Sequence, residues 1–123
     1  LGTYVLSSAN YEWYYLQAQK AREELKHEFD TVFAKYDIIL TPTVPEVAWK
    51  LGAKSNDPLK MYLADMYTIP ANMAWLPAMS IPMGMVEDQG EMMPTGIQVM
   101  ANARAENTLF AFGRYLETLM RKE

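Results

Sequence analysis

The chain has no cysteine, so disulfides and thiol chemistry are excluded. It has one histidine, and without thiolates that leaves no ordinary ligand set for zinc. A basic stripe is also missing. Eleven Lys and Arg residues are interspersed among 15 Asp and Glu residues, for a net charge of -4. Several phosphates cannot be neutralised by such a surface, so direct nucleic-acid contact is not expected. No apolar run approaches the ~20 residues needed to span a bilayer, and no membrane contact is expected. No basic stretch precedes an apolar run in Gly2–Ser7, so a signal peptide is not read there. A Gly-rich phosphate loop and a G-x-S-x-G turn are absent too. Together these absences fit a cytoplasmic protein.

What is present is ordinary globular composition, half of it hydrophobic over 123 residues, enough for one small core. Residues 1–123 are read as a single unit. Because they start at Leu1 rather than at methionine, we expect the C-terminal piece of a larger α/β enzyme. Tyr11, Tyr14, Tyr15, Ala18, Ala21, Leu25, Phe29, Val32, Phe33 and Tyr36 recur at three- and four-residue spacing, which predicts a long helix with one buried face. Ser7, Ser8 or Asn10 would cap it, and Asp30 could interrupt or re-cap it, giving two helices in sequence. Residues 37–41 read as a short strand buried on both faces and stopped by Pro42. Residues 42–58 read as a loop. Leu59–Tyr67 reads as a short helix, and Pro70 as the opening residue of another. Strands at about 79–83 and 95–100 would form an antiparallel hairpin around a loop of about ten residues, longer than usual, with Glu87–Glu91 as a polar turn within it. A C-terminal helix would bury Leu109, Phe112, Gly113, Leu116, Leu119 and Met120, with Arg121 and Lys122 complementing its dipole. A helix feeding a strand, then two more strands and a helix, indicates an α/β class.

Asp65 is the best single candidate for chemistry. It sits among apolar and aromatic neighbours in Asp57–Asp65, and a carboxylate there can hold a substrate ammonium by charge and hydrogen bond; the plainer reading is a solvated helix acid. His27 lies among charged residues and reads as a surface side chain. Met79, Met83, Met85, Met92 and Met93 cluster around the hairpin. With no histidine or cysteine nearby, adaptable packing is favoured over a soft-metal site. Thr41 and Thr43 flank Pro42 at the carboxyl end of the first strand, where α/β sheets bind ligands, or they simply end it. Ser80 lies mid-strand and is a poor nucleophile candidate.

Several ordered segments carry a resemblance. Leu1–Ser7 with Tyr14–Lys20, Asp30–Thr43, Asp57–Asp65, Thr68–Asn72, Leu76–Pro82 and Gly96–Gln98 are together similar to the amidase signature family across essentially the whole chain. The run D-P-L-x-M-Y-x-x-D-x-x-T-x-P-x-N points to the branch serving tRNA-dependent amidotransferases rather than to generic amidases. The resemblance implies the C-terminal part of an α/β/α sandwich with a mixed sheet, here a long N-terminal helix, about three strands and a C-terminal helix. It implies a Ser–cis-Ser–Lys triad, a lysine-based relative of the serine triad. None of the three matches a residue here, so no catalytic residue is assigned and the chain by itself is expected to be inactive. Asp65 matches the family aspartate that orients the glutamine substrate. No cofactor or metal is implied for this segment. The whole complex would use ATP and magnesium and would combine this chain's parent with B and C subunits. Trp75 stands where relatives usually have glycine, Met83 where they often have cysteine, and Ala105 where they tend to place a capping aspartate, for which Asn102 could substitute. A small-amide amidase, or a non-catalytic interaction module using the aromatic helix, is the alternative. Uncovered sheet edges and apolar faces further lead us to expect self-association of the chain produced alone.

Overall fold

The computed structural model describes residues 11–51 and 58–120. A π-helical segment, Tyr11–Leu16, runs into helix α1 (Gln17–Phe33). Strand β1 (Ile38–Pro42), helix α2 (Pro58–Ala64) and helix α3 (Thr68–Met73) follow. Strands β2 (Ala78–Asp88) and β3 (Glu91–Ala101) and helix α4 (Glu106–Met120) complete the described chain. The α/β class and the order of elements agree with the sequence reading.

β3 is the central strand, with β1 and β2 antiparallel on either side. Registers pair Leu40 with Val99 and Thr41 with Gln98 on one side, and Ile81 with Ile97 and Ser80 with Gln98 on the other. Since side chains alternate along a strand, these registers separate the sheet into two unlike faces. One carries Ile38, Met79, Ile81, Ile97, Val99 and Ala101 and packs with Leu109, Phe112 and Leu116 of α4. The other carries Thr41, Ser80 and Gln98. Gly113 lets α4 sit close, because a Cβ there would lie 2.8 Å from the Met79 sulfur.

On α4, Leu119, expected in the buried stripe, is 43% exposed, and five expectations about the sheet and its connections also need correction. First, β1 is an edge strand and is not buried on both faces: α4 centres on β2 and β3, which leaves Leu40 45% exposed. Second, the long hairpin loop is absent. The β2–β3 ladder runs on to Asp88 opposite Glu91 and closes through Gln89 and Gly90, with φ of 51° and 84°. Positive φ at both turn residues matches the twist of the flanking strands. Pro82, Gly84 and Pro94 have the character of strand breakers; instead a bulge between Pro82 and Gly84 absorbs the irregularity, with Gly84 at φ 108°. Third, Pro70 is the third residue of α3 rather than its first, a place where an N–H has no intrahelical partner to lose. Fourth, the Asn102 carboxamide oxygen accepts from Ala103 N–H at 2.7 Å, one turn too early to cap α4. Fifth, packing accounts for Met79 but not for Met83, Met85 and Met92, which are exposed on the outer half of the hairpin.

The break or re-cap expected at Asp30 does not occur: α1 runs unbroken through it, and the Asp30 carboxylate forms a 2.7 Å ion pair with Lys26 one turn back. Arg22, Leu25, Phe29 and Phe33, continued by Tyr15 of the π-helical segment, form the inner stripe and are only half-buried, whereas Tyr11, Tyr14, Ala18, Ala21, Val32 and Tyr36, expected on the buried face, are exposed. The capping residues expected at Ser7, Ser8 and Asn10, and the cations Arg121 and Lys122, lie outside the described residues.

Candidate functional site

The polar face of the sheet holds one connected group. Thr43 and Ser80 bring their hydroxyl oxygens to 2.7 Å. This pair sits over Gly96, where a Cβ would lie 2.8 Å from the serine oxygen and 3.1 Å from the threonine oxygen. A glycine is therefore needed for the hydroxyls to meet above the central strand.

Next along β3, Gln98 is 4% exposed. Its Nε2 donates to Thr41 Oγ1 at 3.0 Å and to the Tyr67 carbonyl at 2.8 Å. A carbonyl can only accept, so the amide nitrogen must be the end that faces Tyr67. One side chain thus ties the sheet centre, the edge strand and the turn before α3 together.

That turn carries Asp65. Its N–H donates to the Tyr62 carbonyl at 3.3 Å. Its own carbonyl accepts from Thr68 N–H at 3.1 Å, Ile69 N–H at 3.0 Å and the Thr68 hydroxyl at 3.2 Å. Asn72 Nδ2 then donates to the Thr68 carbonyl at 2.9 Å. The backbone of Asp65 is therefore fixed from both sides, while the side chain is exposed and, among the described residues, forms no ion pair. A carboxylate on a fixed backbone with open lone pairs is suited to receive a cationic or N–H-bearing ligand. A shallow cleft opens between the 44–49 loop and α2, lined by Val44, Pro45, Glu46, Trp49, Lys60, Leu63 and Ala64, the last being the residue before Asp65. Asp57, at the start of the same motif, lies outside the described residues.

The other candidates separate cleanly. His27 is exposed on α1, and its carbonyl accepts from the Thr31 hydroxyl at 3.0 Å. Ser80 has Thr43 as its hydroxyl partner, which is not a base, in keeping with its rejection as a nucleophile. Thr41 and Thr43 do belong to the polar group, through Gln98 and Ser80. Trp75 is 69% exposed with φ of 56°, a left-handed backbone that favours glycine. The indole is held by the Arg22 guanidinium, 5.2 Å from the ring centroid. It therefore stays largely exposed, with the Arg22 guanidinium against its ring.

Gln98 and the Thr43–Ser80 pair were not singled out as site groups from sequence. A signal was present: Gln98 is a polar residue between two core positions, Ile97 and Val99, so it belongs to the opposite face of the strand.

Comparison with known proteins gives a consistent result. The family model described as Amidase matches residues 1–110. The A subunit of glutamyl-tRNA(Gln) amidotransferase from Paenarthrobacter aurescens is 46% identical over 123 residues, covering 100% of this chain and 23% of that protein. Its namesake from Moorella thermoacetica is 52% identical over 109 residues, covering 89% of this chain and 22% of that protein. The crystal structure of the same-named protein from Thermotoga maritima superposes with a TM-score of 0.70 at 45% identity, over 85% of this chain and 22% of that one. The chain thus spans less than a quarter of the length of these relatives.

Proposed function

The chain belongs to the amidase family, and from that membership we propose that it works as part of the glutamine-hydrolysing subunit of a glutamyl-tRNA(Gln) or aspartyl-tRNA(Asn) amidotransferase. Its role there is to build one wall of the glutamine pocket. The observation that carries this reading is Asp65, an open carboxylate on a backbone bonded through both its N–H and its carbonyl. It stands in a chain whose full length is 46% identical to the matching stretch of a glutamyl-tRNA(Gln) amidotransferase.

In this mechanism the Asp65 carboxylate pairs with the α-ammonium of glutamine. The pair is worth little in open water but more as the pocket closes around it. Holding the ammonium fixes where the side-chain amide falls, which is how a residue remote from the broken bond raises the rate. The serine nucleophile attacks that amide to form an acyl-enzyme and releases ammonia; no residue of this chain takes part in the bond-making step. The ammonia would go to a B subunit, where ATP with magnesium would supply the activation needed to amidate the tRNA-linked carboxylate, while a C subunit would brace the pair. The site of action is the cytoplasm. Tyr11, Trp13 and Tyr14 are exposed on the π-helical segment, and an apolar surface of that kind supports self-association of the chain when it is produced alone. Light scattering checks this, with a clean monomer at high concentration as the contrary result.

The experiment uses the longer protein that carries this chain. Ammonia release from glutamine is compared with release from simple amides, for the wild type and for Asp65→Ala. We expect glutamine to be preferred and Asp65→Ala to raise its KM by about tenfold or more, the cost of one charged hydrogen bond. Release from simple amides alone would make the protein a small-amide amidase, and no release from either would favour an interaction module.

A further inference from the structure

We infer that Gln98 is a positioning residue for the substrate-binding carboxylate, acting through the backbone rather than by touching the ligand. The inference rests on the reading that Asp65 binds glutamine, and it concerns what holds Asp65 where it is.

Asp65 has no side-chain tether among the described residues, so its direction is set by its turn. That turn has two kinds of support. One is internal: the Asp65 carbonyl takes three hydrogen bonds from Thr68 and Ile69. These bonds keep the turn's shape but not its place relative to the sheet. A second support is external and, besides the packing of Ala71, Ala74 and Leu76 beyond the turn, includes one side-chain hydrogen bond from the sheet. Gln98 Nε2 reaches the Tyr67 carbonyl, two residues past Asp65, at 2.8 Å. The same nitrogen donates to Thr41 Oγ1 at 3.0 Å, which fixes the plane of the carboxamide. Its two short bonds go to the edge strand and to the turn, and the Met100 sulfur, a weak acceptor, lies at 3.7 Å.

Gln98 suits this task because of where it sits. It belongs to the central strand, between Ile97 and Val99, whose side chains pack in the hydrophobic core on the opposite face. Its strand is paired on both sides, so its backbone is held by two ladders. With 4% exposure, water competes little for its bonds, and a buried donor deprived of its acceptor is costly. A shorter side chain would not reach the Tyr67 carbonyl, and a carboxylate would turn an oxygen toward it.

The test uses the longer protein with glutamine as the probe and reads KM and kcat separately. Gln98→Met keeps the length and burial but removes both donors; Gln98→Glu keeps the length and reverses the polarity toward Tyr67. We expect each to raise the glutamine KM about tenfold while kcat stays within about twofold, because the turn shifts and the chemistry does not. In an Asp65→Ala background, Gln98→Met should add nothing further to KM, since residues acting through one contact are not additive. If Asp65→Ala raises KM and Gln98→Met does not, or if their effects simply add, the positioning role is overturned while the Asp65 reading stands. If Asp65→Ala itself leaves KM unchanged, both fall. A lower kcat at constant KM, or failure of both Gln98 variants to fold, would mark Gln98 as structural only and overturn the assignment.

Discussion

Helices α1 and α4 are of similar length, 17 and 15 residues, and each carries an apolar stripe at helical spacing. α4 buries Leu109 and Gly113, whereas α1 buries nothing completely. The difference does not lie in the existence of a pattern. α4 lies on a sheet face that is apolar across three strands, and a glycine lets it settle against Met79. α1 meets chiefly the region of α3 and Trp75, so its inner stripe is half covered and mixes aromatics with Arg22 and Lys26. An amphipathic pattern says that a face is to be covered; what covers it is a separate matter. In a chain that spans under a quarter of its relatives' length, that distinction matters most at α1.

Substitutions put the contrast between the two helices to the test. The largest effect is expected at α4. Leu109→Ala should cost about 3 kcal/mol by opening a cavity beside Ile81 and Val99, whereas Leu25→Ala on α1 should cost about 1 kcal/mol, in keeping with half burial. Urea unfolding measures both, and equal costs would remove the contrast. Gly113→Val should cost about 2 kcal/mol by pushing α4 off Met79; if instead the flexible thioether swings aside, the melting temperature will hardly change. Trp75→Gly should gain up to about 1 kcal/mol, as relief of the left-handed backbone exceeds the lost cation–π contact with Arg22. A destabilised Trp75→Gly would show that the Arg22 contact anchors α1 more than the backbone strain opposes it. The smallest effect is at the Lys26–Asp30 pair, where Lys26→Ala should cost about 0.3 kcal/mol or less and become undetectable in high salt.

Much of the architecture is legible in the sequence because it follows from local pattern. The α1 stripe, the alternation of Ile97 and Val99, and the run closing on Met120 each announce their element. Local pattern misleads where one residue type has two structural uses. Pro82 and Gly84 resemble strand breakers and instead bound a bulge inside a continuous hairpin, while Pro94 pairs with Met85 within the ladder. Gln89–Gly90 resembles part of a polar loop rather than its entire turn. Asp65 stands out through a motif, whereas the composition around it does not separate a ligand-binding carboxylate from a solvated acid. Gln98 escapes notice as a site residue because its partners, Thr41 and Tyr67, lie 57 and 31 residues away in sequence, and such pairings depend on register rather than on neighbours.

The two-residue turn at Gln89–Gly90 also sets a sequence of events in time. β2 and β3 are joined through that turn, so their pairing requires almost no loop closure and belongs to the microsecond range of hairpin formation, about 1–10 μs. β1 must return to β3 across the 57 residues separating Thr41 from Gln98, an entropic cost met only once a partner edge exists. We therefore expect the hairpin to assemble first and to serve as the template on which the edge strand docks. Gly90→Ala, which strains the φ of 84°, should slow folding in proportion to the stability it removes, whereas Leu40→Ala should chiefly speed unfolding. The reverse assignment of those two rates would mean that the long closure, not the short one, begins the fold.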